Sequence, residues 1–456
     1  MSKTSRIFAV LSATMSAFLS ASVAGSALAQ STAFNIQTFE TPEGLPIWLV
    51  EDHSNPIVTM EINFDGGSYN DPEGLEGANS MAMWLFNEGA GDLPAADFQD
   101  IMGDESFSIS GRGGFENSQI NVQFLSENRE LVFDMLALAL LEPRYDEDAI
   151  ERARDHYLAQ AQRAVNGPGF EFSQLIGPLR YGEGHPFLRF LDGSLDSLPA
   201  IQAEDIAQAR AKVFGKNNVE INVVGDITPD ELAVALDPIF SQLPDVEVKD
   251  KRPAPADPVL GAEVVVDFAQ PVTYVTVSAP GLDRNDPDYA AMRVANQILG
   301  GDGLGSRLFK SVREEAGLVY GIDSSLAAAE DYGRVGFAFQ TANETVDEAL
   351  ELAIATWREF AENGPTAAEV ESAVNVITGG YPLRFQTSRD IAGYMATLRT
   401  LELPPDFPSY RNQQFFDVTV EDVKRAARRL YSNQEFLVGM VGRPENREPG
   451  VLLPAQ

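Results

Sequence analysis

The residues that could do chemistry in this chain are few and badly spaced for it. There are three histidines, His53, His156 and His185, and no cysteine. A zinc pair on a helix needs two histidines about one turn apart with a carboxylate beside them, and no two histidines here are near each other. The absence of cysteine removes thiol nucleophiles, thiolate metal sites and disulfides, so the fold must rest on its core. No G-x-S-x-G elbow, P-loop or dinucleotide fingerprint occurs. The run GGDGLG, Gly300 to Gly305, lacks phosphate-binding spacing. It reads either as a loop that touches substrate or as a turn before a helix starting near Ser306. On residues alone, the chain is a folded protein without a recognisable catalytic centre.

The elements that would position any site are written twice. Residues 203–225, AEDIAQARAKVFGKNNVEINVVG, align without a gap on 420–442, VEDVKRAARRLYSNQEFLVGMVG. Glu204/Glu421, Asp205/Asp422, Ala209/Ala426, Val224/Val441 and Gly225/Gly442 are identical. Each copy predicts a helix, a polar turn and a buried strand ending in glycine. Each half opens on alternating strand-like runs, from Ile57 and from Val272, and continues into long helices. Thr228 to Glu231 predicts a helix cap, and capping boxes are expected at Thr345/Glu348 and Thr366/Glu369, with Asn363-Gly364-Pro365 as a stop. The Pro- and charge-rich stretch 246–260 reads as a linker. The expected organisation is therefore 30–245 and 261–456, two related α+β domains, each a mainly antiparallel sheet with helices on one face.

The N-terminus reads differently. Lys3 and Arg6 precede an apolar Ser/Ala-rich run from Ile7, and Ala27-Leu28-Ala29 supplies the small residues of a cleavage site. Residues 1–29 are expected to be a secretory signal rather than an anchor. The formal net charge is −35, and losing Lys3 and Arg6 makes the mature chain more acidic still. Such a surface disfavours nucleic acid and anionic lipid.

Residues 44–92, GLPIWLVEDHSNPIVTMEINFDGGSYNDPEGLEGANSMAMWLFNEGAGD, resemble the opening of a pitrilysin or mitochondrial-processing-peptidase subunit. Gly67, Ser68, Pro72, Gly74 and Gly77 stand where that family places a turn. The turn leads to a helix with the inverted zinc motif H-x-x-E-H. Continued without a gap, the first histidine falls on Ser80, the general-base glutamate on Met83 and the second histidine on Trp84. The family's third ligand, a glutamate on a later helix, falls near Gln160. The resemblance thus implies that all three ligands and the base are missing, and that this chain holds no zinc. YGEGHPF around His185 resembles a family loop, which makes His185 structural. His53 matches a strand-end position, and His156 reads as a surface helix residue. GGYPLRFQTSRDIAGYM, from Gly379, resembles a family helix of the second half.

GLGSRLFKSVREEAGLVYGIDSSL, residues 303–326, resembles the family's C-terminal-domain motif, whose Arg and Tyr hold the substrate backbone and the transition-state oxygen. Here these are Arg313 and Tyr320. A helix ending near Ala316, with Gly317 as its cap and a strand from Leu318, lets both face one cleft. The bland alternative is an Arg at a helix C-terminus and a Tyr in the core. Some bacterial members of the family are heterodimers in which one subunit carries the zinc motif and the other the Arg/Tyr pair. The resemblance therefore implies a non-catalytic, substrate-binding subunit, and the signal sequence places it in the periplasm as an expectation. Its partner is a zinc-bearing sister chain that supplies the metal, and its substrate is a peptide. The alternative is a binding or assembly protein that reuses the fold.

Overall fold

The computed structural model describes residues 34–247, 252–301 and 304–454; the expected signal sequence lies outside them. Eight strands lie in the first half: β1 (Gln37–Glu40), β2 (Pro46–Glu51), β3 (Ile57–Asp65), β4 (Gly89–Ala90), β5 (Leu93–Pro94), β6 (Ser108–Gly113), β7 (Asn117–Leu125) and β8 (Val219–Gly225). The second half holds β9 (Glu263–Asp267), β10 (Val272–Pro280), β11 (Ile322–Ala328), β12 (Gly333–Ala342), β13 (Leu437–Gly442) and β14 (Gly450–Leu452). The main sheets run β1-β2-β8-β3-β7-β6 and β14-β9-β13-β10-β12-β11, with β4 and β5 forming a small hairpin apart. Each main sheet is antiparallel except for one parallel pair, β2 with β8 and β9 with β13. The α+β expectation of two mainly antiparallel sheets holds.

The repeated segments occupy equivalent places. Helices Ala203–Val213 and Val420–Tyr431 lead into β8 and β13. Asp205 and Asp422, identical in the alignment, are the third helical residues of closed capping boxes with Gln202 and Thr419. The strands end at Gly225 and Gly442, whose φ values are +139° and +150°. A Cβ at Gly225 would lie 2.0 Å from the Ile57 carbonyl oxygen, so only glycine fits there. Boxes also close at Thr228/Glu231 and Thr366/Glu369. The one expected at Thr345/Glu348 does not form. A 3-10 turn over Asn343–Thr345 precedes helix Val346–Asn363, and the Thr345 hydroxyl turns instead to the Ala342 carbonyl and the Thr341 hydroxyl.

Each sheet buries one face against helices of its own half. In β3, Val58, Met60, Ile62 and Phe64 point into the first core. In β13, Val438 and Met440 point into the second. Part of each opposite face is covered by a helix from the other half. Helix Pro168–Tyr181 brings Phe172, Leu175, Ile176 and Leu179 onto Val264 and Leu437 of the second sheet. Helix Ser388–Thr400 brings Ile391, Ala392 and Met395 onto Val50, Val224 and Trp48 of the first. At ~1.5–3 kcal/mol per buried large side chain, each contact is worth several kcal/mol before ordering entropy.

Arginines fasten the two halves. Arg399 lies 5.3 Å from the Trp48 ring and donates to the carbonyls of Pro46 and Ile221. Arg252 lies between Phe187 and Tyr332, ion-paired to Asp331 at 2.7 Å and to Glu116 at 3.4 Å. It thereby joins the β6–β7 turn of one half to the β11–β12 turn of the other. Residues 252–260 form no helix or strand. They are strapped down by bonds from Ala256 N to Tyr181 O and from Val259 N to Leu179 O.

One more element positions the candidate site. Helix Ala78–Trp84 begins at Gly77, φ +100°, which has no side chain to cap it. Asp71 does so from a distance, accepting from Gly77 N at 3.0 Å and Asn79 N at 3.1 Å. Burial pushes the Asp71 carboxyl up to about 7, against those two donors and the nearby Arg189.

Two outcomes are expected. In Gly439→Val the new methyls meet Phe172 and Ile176, since a Cβ alone would lie 2.5 Å and 2.6 Å from them. Thermal unfolding should show a loss of ~1–3 kcal/mol, the usual range for overpacking. For Asp71, the folded pKa lies above the unfolded value of about 3.9, so the folded state keeps a proton that the unfolded state releases. This group's contribution is thus fully present below about pH 4 and declines as pH rises to about 7. Asp71→Asn should remove that decline, seen as the difference between the two Tm-versus-pH curves.

Candidate functional site

Helix Ala78–Trp84 carries the three positions at which the resemblance expects histidine, glutamate and histidine. It is pressed onto β6: a Cβ at Gly111 would fall 2.3 Å from the Met83 carbonyl oxygen, and one at Gly113 would fall 3.1 Å from Ser80 Cα. Ser80 is buried. Its hydroxyl is 2.9 Å from Asp192 Oδ1 and 3.2 Å from the Leu191 carbonyl, and its own carbonyl accepts from Tyr157 at 3.1 Å. Met83 is 1% exposed and belongs to the first core. Trp84 stacks on His156 of helix Glu147–Val165, centroids 6.1 Å apart, and His156 in turn bonds Gln160.

The helix expected to carry the third ligand does face the first, and Gln160 sits one turn beyond the histidine that covers Trp84. The donor set does not fit zinc. It consists of a hydroxyl already committed to Asp192 and a backbone carbonyl, a buried thioether, an indole and a carboxamide. Of the metal-binding side chains nearby, His156 has its ring on the indole and Asp192 holds the Ser80 hydroxyl. Among the described residues, no group of three histidines or carboxylates is placed to hold a metal. His156 lies at the surface, as expected. Its stacking on Trp84 carried no signal in the sequence, because the two are brought together only by the packing of two helices.

Arg313 and Tyr320 lie in the other half. Helix starts at Arg307 and continues as a π-helix over Phe309–Glu315. Gly317, φ +68°, closes it, with Gly317 N bonded to Arg313 O and Leu318 N to Val312 O. The strand begins at Ile322 and not at Leu318. Leu318 is held instead as a loop residue, its carbonyl accepting from the Thr341 hydroxyl at 2.6 Å, and Val319 is buried behind it. Tyr320 therefore sits in a bend ahead of the strand, and the residue is 83% exposed. Arg313 lies 4.9 Å over the Phe309 ring and donates to the Tyr320 carbonyl. The two residues are brought together through that carbonyl, so the phenol stays free while part of the guanidinium is occupied. Phe309 and Thr341 are the supporting residues that sequence reasoning missed. Phe309 stands four residues before Arg313 in the same motif, which is the signal that could have found it.

Helix Ala78–Trp84 packs among elements of the first half, and Phe309–Glu315 packs on helix Val346–Asn363 of the second. Of the remaining histidines, His185 is structural as expected. It is buried, accepts from Phe187 N at 3.1 Å through Nδ1, and meets the Pro253 carbonyl at 3.0 Å through Nε2. His53 bridges Asp226 at 2.6 Å and Glu51 at 2.9 Å at the end of β2, and these carboxylates raise its pKa. For the glycine-rich run, Gly300 ends helix Tyr289–Gly300, and residues 302 and 303 lie outside the described residues.

Comparison with known proteins places this geometry. The family described as Peptidase M16 inactive domain matches residues 200–377, a segment that includes Arg313 and Tyr320 and leaves out helix Ala78–Trp84. The chain is 25% identical over 357 residues to the "Non-peptidase homolog YmxG" of Helicobacter pylori, covering 75% of this chain and 79% of that protein. It superposes on the crystal structure of the peptidase M16 inactive domain from Pseudomonas fluorescens with TM-score 0.81 and 26% identity, over 91% of this chain and 100% of that one. It shares the fold of the periplasmic protease PqqL from Escherichia coli, with TM-score 0.75 and 17% identity, over 92% of this chain and 46% of that one. A doubled sheet-and-helix unit, a motif helix without its ligands, and these likenesses agree: the chain is similar to non-catalytic members of the pitrilysin, or M16, family, and its residues 200–377 match that family's inactive domain.

Proposed function

We propose that this chain is the substrate-binding subunit of a heterodimeric periplasmic zinc peptidase. Zinc and general base come from an H-x-x-E-H sister chain, and Arg313 and Tyr320 reach the peptide held there. The observation that carries this reading is a contrast between the two sites. At the first, Met83 is in the core, Trp84 lies under His156, and Ser80 is bonded away. At the second, a phenol projects into solvent from a loop anchored on both sides. A neutral donor so placed has nothing to gain in an isolated chain. Aimed at the developing oxyanion on a partner's zinc, it is worth about 10²–10³ in rate. The export part of the reading rests on the signal-like residues 1–29 and on the periplasmic origin stated for PqqL. The domains are read as 30–245 and 261–456, joined by 246–260.

A second reading is favoured by one observation. Arg313 is already engaged by the Tyr320 carbonyl and the Phe309 ring, as a structural arginine would be. On that reading the chain is a binding or assembly protein with no proteolytic role.

Metal analysis of the purified chain should find no stoichiometric zinc, and the chain alone should cleave no peptide. About one zinc per chain with chelator-sensitive cleavage overturns the proposal. The sister chain is to be obtained by capture from the native periplasm and identified by its H-x-x-E-H motif. Reconstituted with it, Tyr320→Phe should lower kcat by about 10²-fold, with assembly and zinc content unchanged. Arg313→Ala should impair both KM and kcat, because it removes a charged anchor. Wild-type rates for both variants in a normally assembled complex would leave the assembly reading.

A further inference from the structure

The C-terminal end of helix Pro168–Tyr181 holds two guanidinium groups for which no carboxylate among the described residues provides a counter-charge. Arg180 stands in the last turn. Arg334, on β12, donates through Nη2 to the Arg180 carbonyl at 3.0 Å and lies 4.6 Å and 5.7 Å from the rings of Tyr181 and Tyr332. The Nε of each is buried without a hydrogen-bond partner. Among the described residues, neither arginine forms an ion pair with a carboxylate. The adjacent arginines differ: Arg252 is paired with Asp331 and Glu116, and Arg189 with Glu76.

The ordinary explanation is a cation capping a helix C-terminus. Arg334 does this at the Arg180 carbonyl, but the Arg180 side chain does not, and each carbonyl of the last turn is already met by another donor. The Pro178 carbonyl accepts from Gly182 N, that of Leu179 from Val259 N, that of Arg180 from Arg334, and that of Tyr181 from Ala256 N. Half-burying a cation without a counter-charge is costly. A chain of net charge −35 has carboxylates in excess, so their absence is a property of this place.

Beside Arg180 opens a cavity of about 360 Å³ with a mixed lining, apolar at Phe172, Ile176, Phe187 and Phe190 and polar at Gln174 and Arg189. That is near the lower end of the ~300–1,000 Å³ of small-molecule pockets, room for one apolar group and its head. We propose that this cavity binds a carboxylate carried on an apolar body, with Arg180 as the anchoring cation and Arg334 adding its field from behind. The same chemistry is met in a peptide C-terminus ending in an aliphatic or aromatic residue and in a free aromatic acid. The site stands apart from Arg313 and Tyr320, and the inference does not depend on a peptidase partner.

Calorimetry on the mature chain with three probes tests it: acetyl-Ala-Phe as the free acid, the same dipeptide as its C-terminal amide, and 3-phenylpropionate. The free acid should bind, and the amide should bind about tenfold or more weakly, because it cannot form the charge-assisted bond. Binding of 3-phenylpropionate as tightly as the dipeptide acid assigns the site to free aromatic acids. Markedly weaker binding assigns it to peptide termini. R180Q should lose the acid about tenfold or more, while R180K keeps part of it. Without ligand, R180Q should unfold at the wild-type temperature or above, whereas loss of a helix cap would lower it. The proposal is overturned if acid and amide bind alike, if neither acid binds at millimolar concentration, or if R180Q binds as wild type does. The acid–amide comparison needs no variant, so it decides the matter even where R180Q fails to fold.

Discussion

The exchange of helices between the halves is the constraint on which the rest depends. A six-stranded sheet has two faces to cover, and each half supplies enough helix for one. Helix Pro168–Tyr181 covers part of the second sheet and helix Ser388–Thr400 part of the first. The alternation of β3 shows the result locally: Val58, Met60, Ile62 and Phe64 face home helices, while Thr59 and Glu61 are buried on the other side, toward helix Ser388–Thr400. Glycines set how closely the foreign helices approach, Gly439 under Phe172 and Gly393 over Glu61. With this frame fixed, the Arg252 and Arg399 contacts set how the halves meet.

Within the frame the two halves have diverged at equivalent levels of structure. In the first, the helix on which the resemblance expects a zinc motif and the helix facing it are both put to packing. Ser80, Met83 and Trp84, at the expected ligand and base positions, each find a partner in the protein. An unliganded His-Glu-His cluster in the same place would leave buried polar groups without partners. The second half keeps an exposed phenol on a loop that Thr341 and Val319 hold in place.

Much of this was legible in the sequence. The gapless repeat predicted two copies of a helix and strand, and both copies lie at the same point of their sheets. The capping residues at Thr228 and Thr366 marked helix starts because their bonds are local. What escaped was decided at a distance. Thr345 looks like a cap, but its hydroxyl is claimed by Thr341, a residue of the preceding strand. Leu318 looks like strand, but the Thr341 bond holds it in a loop and delays β11 to Ile322. The stacking of His156 on Trp84 and the meeting of Arg334 with Arg180 arise from elements that are remote in sequence. No window of the sequence contains both partners.

The helix exchange also governs when the molecule can become itself. Helix Pro168–Tyr181 finds its apolar bed on β9 and β13, and β13 is nearly the last strand to be made. The first sheet in turn waits for residues 388–400. A growing or threading chain therefore carries two uncovered greasy surfaces through more than half of its length, and closing contacts so far apart is entropically slow. Neither half is a finished domain in isolation. Late assembly is built into the architecture, and such a chain completes its fold only when all of it is present.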